Sequence, residues 1–78
     1  MRKREPRVIV TFHTTAEAMA TERMCAARGL AGKLISAPRR LSADCGIAWS
    51  GAIGTRAALQ AALDAEKIEY AGLYELEL

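Results

Sequence analysis

The chain has 78 residues, of which 51% are hydrophobic, and a formal net charge of +2. This length fits one small domain, and no apolar run approaches the roughly 20 residues of a membrane-spanning helix. Residues 1–7 hold four basic and one acidic group, so the remaining seven basic and eight acidic groups leave the body nearly neutral. A basic face for specific nucleic-acid binding is therefore not expected.

The N-terminal segment differs in composition from the rest of the chain. Residues 1–6 are expected to form a disordered basic tail, and residues 7–78 a single domain. The tail is followed by no signal-peptide apolar stretch, which predicts a cytoplasmic protein without membrane insertion. The two cysteines have no CxxC spacing and there is one histidine, so neither a metal site nor a cofactor is expected.

The first half of the chain predicts a strand, a helix and a second strand. Residues 8–12 are β-branched and aromatic, which is typical of a short strand. Thr14 and Glu17 have the spacing of a capping box and predict a helix that Gly29 should end. Residues 33–37 predict the second strand, which the following proline should stop.

The second half predicts a strand, a loop, a helix and a last strand. Residues 46–50 form the third strand and 51–54 a loop, after which Thr55 is the expected N-cap of the second helix. One face of that helix should contain Leu59, Ala62, Leu63 and Glu66. Residues 73–78 predict the last strand, because they alternate between apolar and polar positions from Tyr74 onward, as a half-buried strand does.

This order of elements, βαββαβ, predicts an α+β ferredoxin-like sandwich. The four-stranded antiparallel sheet should have strand order 4-1-3-2 and both helices on one face. In this topology the start of the first helix and the loop between strands 2 and 3 lie at the same end of the sheet. His13 and Thr14 should therefore lie near the segment 38–45.

The 38–46 segment contains the candidate reactive group, the thiol of Cys45. Nearby cations and a helix N-terminus lower a thiol pKa, and Arg39, Arg40 and the start of the first helix could act together here. Gly46 removes a side chain next to the sulfur and lets a backbone N–H approach an anion. The alternative is a structural cysteine in a hairpin, beside a solvated pair of arginines.

Three separated elements of the sequence carry a family resemblance. They are Phe12-His13-Thr14-Thr15-x-x-Ala18, then Glu22, then Pro38-Arg39-x-Leu41-Ser42-x-x-Cys45-Gly46. Together they make the chain resemble the bacterial putative selenium/sulfur carrier-like family. The resemblance implies that Cys45 holds sulfur or selenium as a persulfide or selenosulfide, with Ser42 in the same site, and that donor and acceptor proteins are the partners.

Two classes of function therefore remain open. The first is a carrier, which needs an exposed thiolate and a small scaffold rather than a general base, metal or cofactor, so a stand-alone enzyme is not expected. The second is a small regulatory module that binds an anion or a protein through Arg39 and Arg40, with Cys45 structural.

The first helix has two candidate apolar faces. Glu22 is expected in the middle of the face formed by Ala18, Met19, Cys25 and Ala26, where it could orient an arginine or His13, or simply pair at the surface. A second, weaker strip contains Ala16, Ala20, Met24 and Ala27. Cys25 lies about 16 Å along the helix from its cap, too far to form a disulfide with Cys45, and is expected in the core. The alanine-rich core and apolar last strand also suggest a homodimer formed through an edge strand.

Overall fold

The computed structural model describes residues 5–41 and 46–77. Their elements follow the predicted βαββαβ order and form an α+β ferredoxin-like fold. The bounds are β1 Pro6–Thr11, α1 Thr15–Arg28, β2 Gly32–Ser36, β3 Ile47–Ala52, a 3-10 turn Ile53–Thr55, α2 Arg56–Ala65 and β4 Gly72–Glu77. Neither helix in the described ranges has the length and apolar character needed to cross a membrane.

The four strands form one antiparallel sheet with the order β2-β3-β1-β4. This is the predicted order read from the opposite edge. Strand β1 lies between β3 and β4, and its Val8 is paired with Gly51 on one side and Glu75 on the other. The end of β1, the end of β2 and the start of β3 consequently meet at one end of the sheet, here called the loop end.

The core lies between the helices and one face of the sheet. Successive strand residues point to opposite faces, and Val8, Val10 and Phe12 all point toward the helices and are fully buried. The other buried members of this cluster come from both helices and β3: Ala18, Met24, Cys25, Trp49, Leu59, Ala62 and Leu63. Both helices therefore pack on the same face, as predicted.

Helix α1 begins and ends as its sequence predicts. Thr14 Oγ1 accepts a hydrogen bond from the Glu17 backbone N–H at 3.2 Å, and the Glu17 carboxylate accepts one from the Thr14 N–H at 3.3 Å, which completes the capping box. At the other end Gly29 has φ +71°, and the Leu30 N–H donates to the Cys25 carbonyl at 2.9 Å. A left-handed residue followed by a backbone hydrogen bond that spans five residues is the Schellman motif.

The start of α2 differs from the prediction. Strand β3 continues to Ala52 and a single 3-10 turn follows at Ile53–Thr55, so these two elements replace the loop expected at 51–54. Thr55 stands at the N-cap position, but its side chain caps no helical N–H and donates instead to the Ala52 carbonyl at 2.6 Å. Its backbone, at φ −95° and ψ 0°, lacks the extended conformation from which an N-cap side chain reaches forward.

Three of the four residues predicted on one face of α2 are buried in the core: Leu59, Ala62 and Leu63. The fourth, Glu66, lies at the exposed end of that face. Its side chain is 49% exposed and pairs with Arg28 at 2.8 Å. Glu66 is the C-cap of α2, with a right-handed helical backbone whose N–H donates to the Ala62 carbonyl at 2.9 Å.

Candidate functional site

The loop between β2 and β3 is anchored by one additional backbone pair. The Ala37 N–H donates to the Gly46 carbonyl at 3.0 Å, which extends the strand pairing one step past Ser36 and Ile47. Ala37 and Gly46 therefore bound the loop at the loop end of the sheet, and residues 38–41 are the part of it that the structure describes. The predicted site residues Ser42 and Cys45 lie outside the described ranges.

The first part of this loop is a β-turn that presents both candidate arginines. The Leu41 N–H donates to the Pro38 carbonyl at 3.0 Å, which makes Arg39 and Arg40 the two central residues of the turn. Both arginines are exposed. Their guanidinium groups are consequently accessible to an anion or to the surface of another protein.

Gly46 closes the loop with a backbone conformation that suits glycine. Its φ is +73°, in the left-handed region that other L-residues rarely adopt. A Cβ built on Gly46 would meet no atom of the described residues within 4 Å. Glycine is therefore favoured here by backbone conformation.

His13 lies at the same end of the sheet as the base of the loop. Thr11 is paired with Ala48 across β1 and β3, and His13 follows the end of β1 by two residues, whereas Gly46 immediately precedes β3. The His13 side chain is exposed, and its backbone N–H donates to Glu17 Oε1 at 2.8 Å. His13 and Gly46 thus lie at the same end of the sheet, and the expected nearness of His13 to the segment 38–45 stays a prediction.

Glu17, at the start of α1, makes one hydrogen bond more than the capping box predicted from its spacing. One carboxylate oxygen of Glu17 accepts from the N–H groups of both His13 and Thr14. A carboxylate in this position offsets part of the positive end of the helix dipole. The Glu17 carboxylate therefore reduces the attraction of this helix start for an anion. The capping-box spacing was the signal that identified Glu17.

The predicted surroundings of Glu22 are wrong. The buried residues of α1 are Ala18, Thr21, Met24 and Cys25, whereas Glu22 is exposed and Met19 is 41% exposed. Thr21 can face the core because its hydroxyl donates to the Glu17 carbonyl at 2.9 Å. Glu22 is also eight residues past Thr14, about 12 Å along the helix. The structure therefore separates Glu22 from the loop end.

Cys25 has the core position that the sequence predicts. Its side chain is fully buried within the hydrophobic cluster. Burial disfavours the charged thiolate and raises the pKa of Cys25 above its ordinary value. At neutral pH this thiol is protonated and inaccessible, so it is a poor nucleophile.

Within residues 5–41 and 46–77, no group of three or more His, Cys, Asp or Glu side chains is arranged to hold a metal ion. What this part of the chain has at the loop end is an exposed arginine turn, a histidine, a left-handed glycine and a capped helix start. The two exposed arginines make this surface cationic.

The fold and the loop end define a small α+β domain with an exposed loop at one end of its sheet. The chain belongs to the putative Se/S carrier protein-like family, whose model matches residues 7–75. Searches of curated proteins and of solved structures found no significant match.

Proposed function

We propose that this protein carries a sulfur or selenium atom on Cys45, as a persulfide or a selenosulfide. The membership of the Se/S carrier protein-like family supports this class of function. We choose Cys45 because of the properties of the other thiol, Cys25. The sequence has two cysteines, and Cys25 is buried with a raised pKa, which leaves Cys45 as the candidate carrier.

The proposed loading step is a thiol exchange. The Cys45 thiolate attacks the terminal sulfur of a persulfide on a donor protein and forms a new sulfur–sulfur bond. The donor's own sulfur–sulfur bond breaks, and the donor leaves as a thiolate. The transferred atom keeps its proton, so the exchange needs no external oxidant or reductant. A donor selenosulfide reacts in the same way through its terminal selenium.

The residues around the loop support the thiolate in this proposal. Cys45 immediately precedes Gly46 in the sequence, and Gly46 lies at the loop end of the sheet. In this proposal Arg39 and Arg40 favour the charged form of the thiol and attract an anionic persulfide. The exposed His13 lies at the same end of the sheet.

The partners in this proposal are a donor protein and an acceptor protein. An exposed arginine turn suits a thiol that must enter the active site of a second protein. A deep pocket would hinder such a transfer. We place the exchange in the cytoplasm, where thiols are kept reduced between transfers.

The test is loading of a single-thiol variant. Cys25→Ala should react with a persulfide donor such as glutathione persulfide at neutral pH and gain about 32 Da, the mass of one sulfur atom, in the intact-mass spectrum. Cys45→Ser is the matched control, because it retains the fold and Cys25 but should gain no mass. Loading of Cys45→Ser, or none in Cys25→Ala and the parent, would contradict the carrier function.

The exposed arginine turn also favours a second candidate, a module that binds an anion or a protein. In that case Arg39 and Arg40 make the contact and Cys45 is structural. Cys45→Ser then keeps the binding, whereas replacement of both arginines by glutamine removes it. A carrier shows the opposite dependence, with loading lost on removal of the thiol and only slowed on removal of the arginines.

A further inference from the structure

A shallow groove runs along the outer side of α1, between this helix and the connection from α2 to β4. Two adjoining cavities of about 640 and 300 Å³ form it, and Ala20 lines both. Met24, which is 7% exposed, and the half-buried Ile68 provide apolar surface. Ala16 and Ala27 complete the side formed by α1. Because these side chains are short, a second helix can approach α1 closely here.

The two ends of the groove carry opposite charge. One end is lined by Arg23, Arg28 and Glu66, a formal excess of one positive charge. The other end is lined by Glu17, Lys67 and Glu69, a formal excess of one negative charge. The charge therefore changes sign along α1, from acidic near its start to basic near its end.

We propose that this groove is the contact surface of a homodimer in which α1 of two copies packs antiparallel. A twofold axis near Ala20, which lines both halves of the groove, sets the basic end of each groove against the acidic end of the other. In such an isologous contact every attraction occurs twice, and Arg23 of one copy lies near Glu69 of the second copy. This contact is different from the edge-strand pairing that the sequence suggested.

The size of the contact predicts a weak dimer. Helix α1 has 14 residues and is about 21 Å long. Packing of this helix and the adjoining connection buries on the order of 1,000 Å² in total, at the low end for specific interfaces. The antiparallel arrangement also sets the two loop ends far apart, so it leaves both accessible. The dimer does not depend on the proposed carrier function.

Sedimentation equilibrium of the full chain tests the contact. We expect the average mass of the parent to rise above 8.4 kDa as its concentration increases to about 1 mM, because weak dimers have dissociation constants in this range. Ala20→Glu should remain monomeric, since it places a charged side chain in the centre of the groove. Ala26→Glu is the matched control, because Ala26 is an exposed alanine of the same helix that does not line the groove. Circular dichroism checks that both variants fold.

Charge reversal tests the antiparallel arrangement. Arg23→Glu and Glu69→Arg should each weaken self-association, whereas an equimolar mixture of the two variants should form a heterodimer in which both contacts are again opposite in charge. A parent that remains monomeric at every concentration, or equal effects of Ala20→Glu and Ala26→Glu, would overturn the proposed surface. A mixture that fails to associate would overturn its antiparallel register. Persulfide loading of Cys45 is measured separately and is unaffected by either result.

Discussion

The two helices end in the same way but with different residues, which yields a test of backbone strain. The left-handed residue that follows α1 is Gly29, with φ +71°, and the one that follows α2 and its C-cap Glu66 is Lys67, with φ +55°. In both cases the next residue donates a 2.9 Å backbone bond back into the helix, from Leu30 to Cys25 and from Ile68 to Leu63. Lys67 therefore adopts a left-handed conformation that glycine adopts more readily. We predict that Lys67→Gly stabilises the protein.

The size of this effect follows from two opposing contributions. The left-handed conformation costs an L-residue about 1–2 kcal/mol. Glycine gives up about 0.4–1 kcal/mol because its unfolded chain is more flexible. The midpoints of these two ranges leave a net stabilisation of about 0.8 kcal/mol, which corresponds to a rise in Tm of about 3–6 °C for a domain of this size.

Thermal unfolding followed by circular dichroism measures this change. Lys67→Ala is the matched control, because it removes the ammonium group but keeps a residue with a Cβ at φ +55°, and it should leave Tm nearly unchanged. Gly29→Ala should lower Tm by a similar amount, since its Cβ would meet nothing within 4 Å and only the backbone conformation opposes it. Equal stabilisation by Lys67→Gly and Lys67→Ala would refute the argument, because it would assign the effect to the lost charge.

Three further predictions concern the loop end and the core. Gly46→Ala should cost about 1 kcal/mol in the free energy of unfolding by urea, because its φ is +73°; an unchanged midpoint would contradict this. Replacement of both Arg39 and Arg40 by glutamine should slow alkylation of Cys45 at neutral pH, and added salt should do so more weakly; equal rates would assign the arginines another role. Burial raises the pKa of Cys25 in the folded state. The contribution of this thiol to stability is therefore complete below the unfolded-state pKa of about 8.5 and is lost as the pH rises through the folded pKa. Cys25→Ala should lose this alkaline destabilisation, and a pH profile identical to the parent would show that Cys25 is not its source.

The elements at the start of the fold could be predicted because their signals are local. The capping box of Thr14 and Glu17 joins groups three residues apart, and Gly29 ends α1 through its own backbone conformation. The same reasoning failed at Thr55, whose hydroxyl bonds to the Ala52 carbonyl. That bond depends on a 3-10 turn between β3 and α2, which the amino-acid pattern of residues 51–54 does not distinguish from a loop.

The candidate site was predictable as a location but not in its electrostatics. The βαββαβ topology alone brings His13 and the base of the 38–45 loop to one end of the sheet, and the β1–β3 register agrees. The pattern did not show that the Glu17 carboxylate accepts from the His13 N–H as well as from Thr14. A capping role is visible in the spacing, whereas the effect of that carboxylate on a neighbouring loop depends on the assembled fold.

The order of the elements, the limits of α1 and the core position of Cys25 could all be predicted from the amino-acid pattern. The side of α1 that is buried could not, because it depends on tertiary packing, and with it go the exposure of Glu22 and the core position of Thr21. Hydrogen bonds at helix ends join residues within about four positions, so their signals are present in the local sequence. The rotation of a helix about its axis depends on apolar area removed from water. In a helix made largely of alanine that area differs little from one side to another, so contacts with the sheet and with α2 select the buried face.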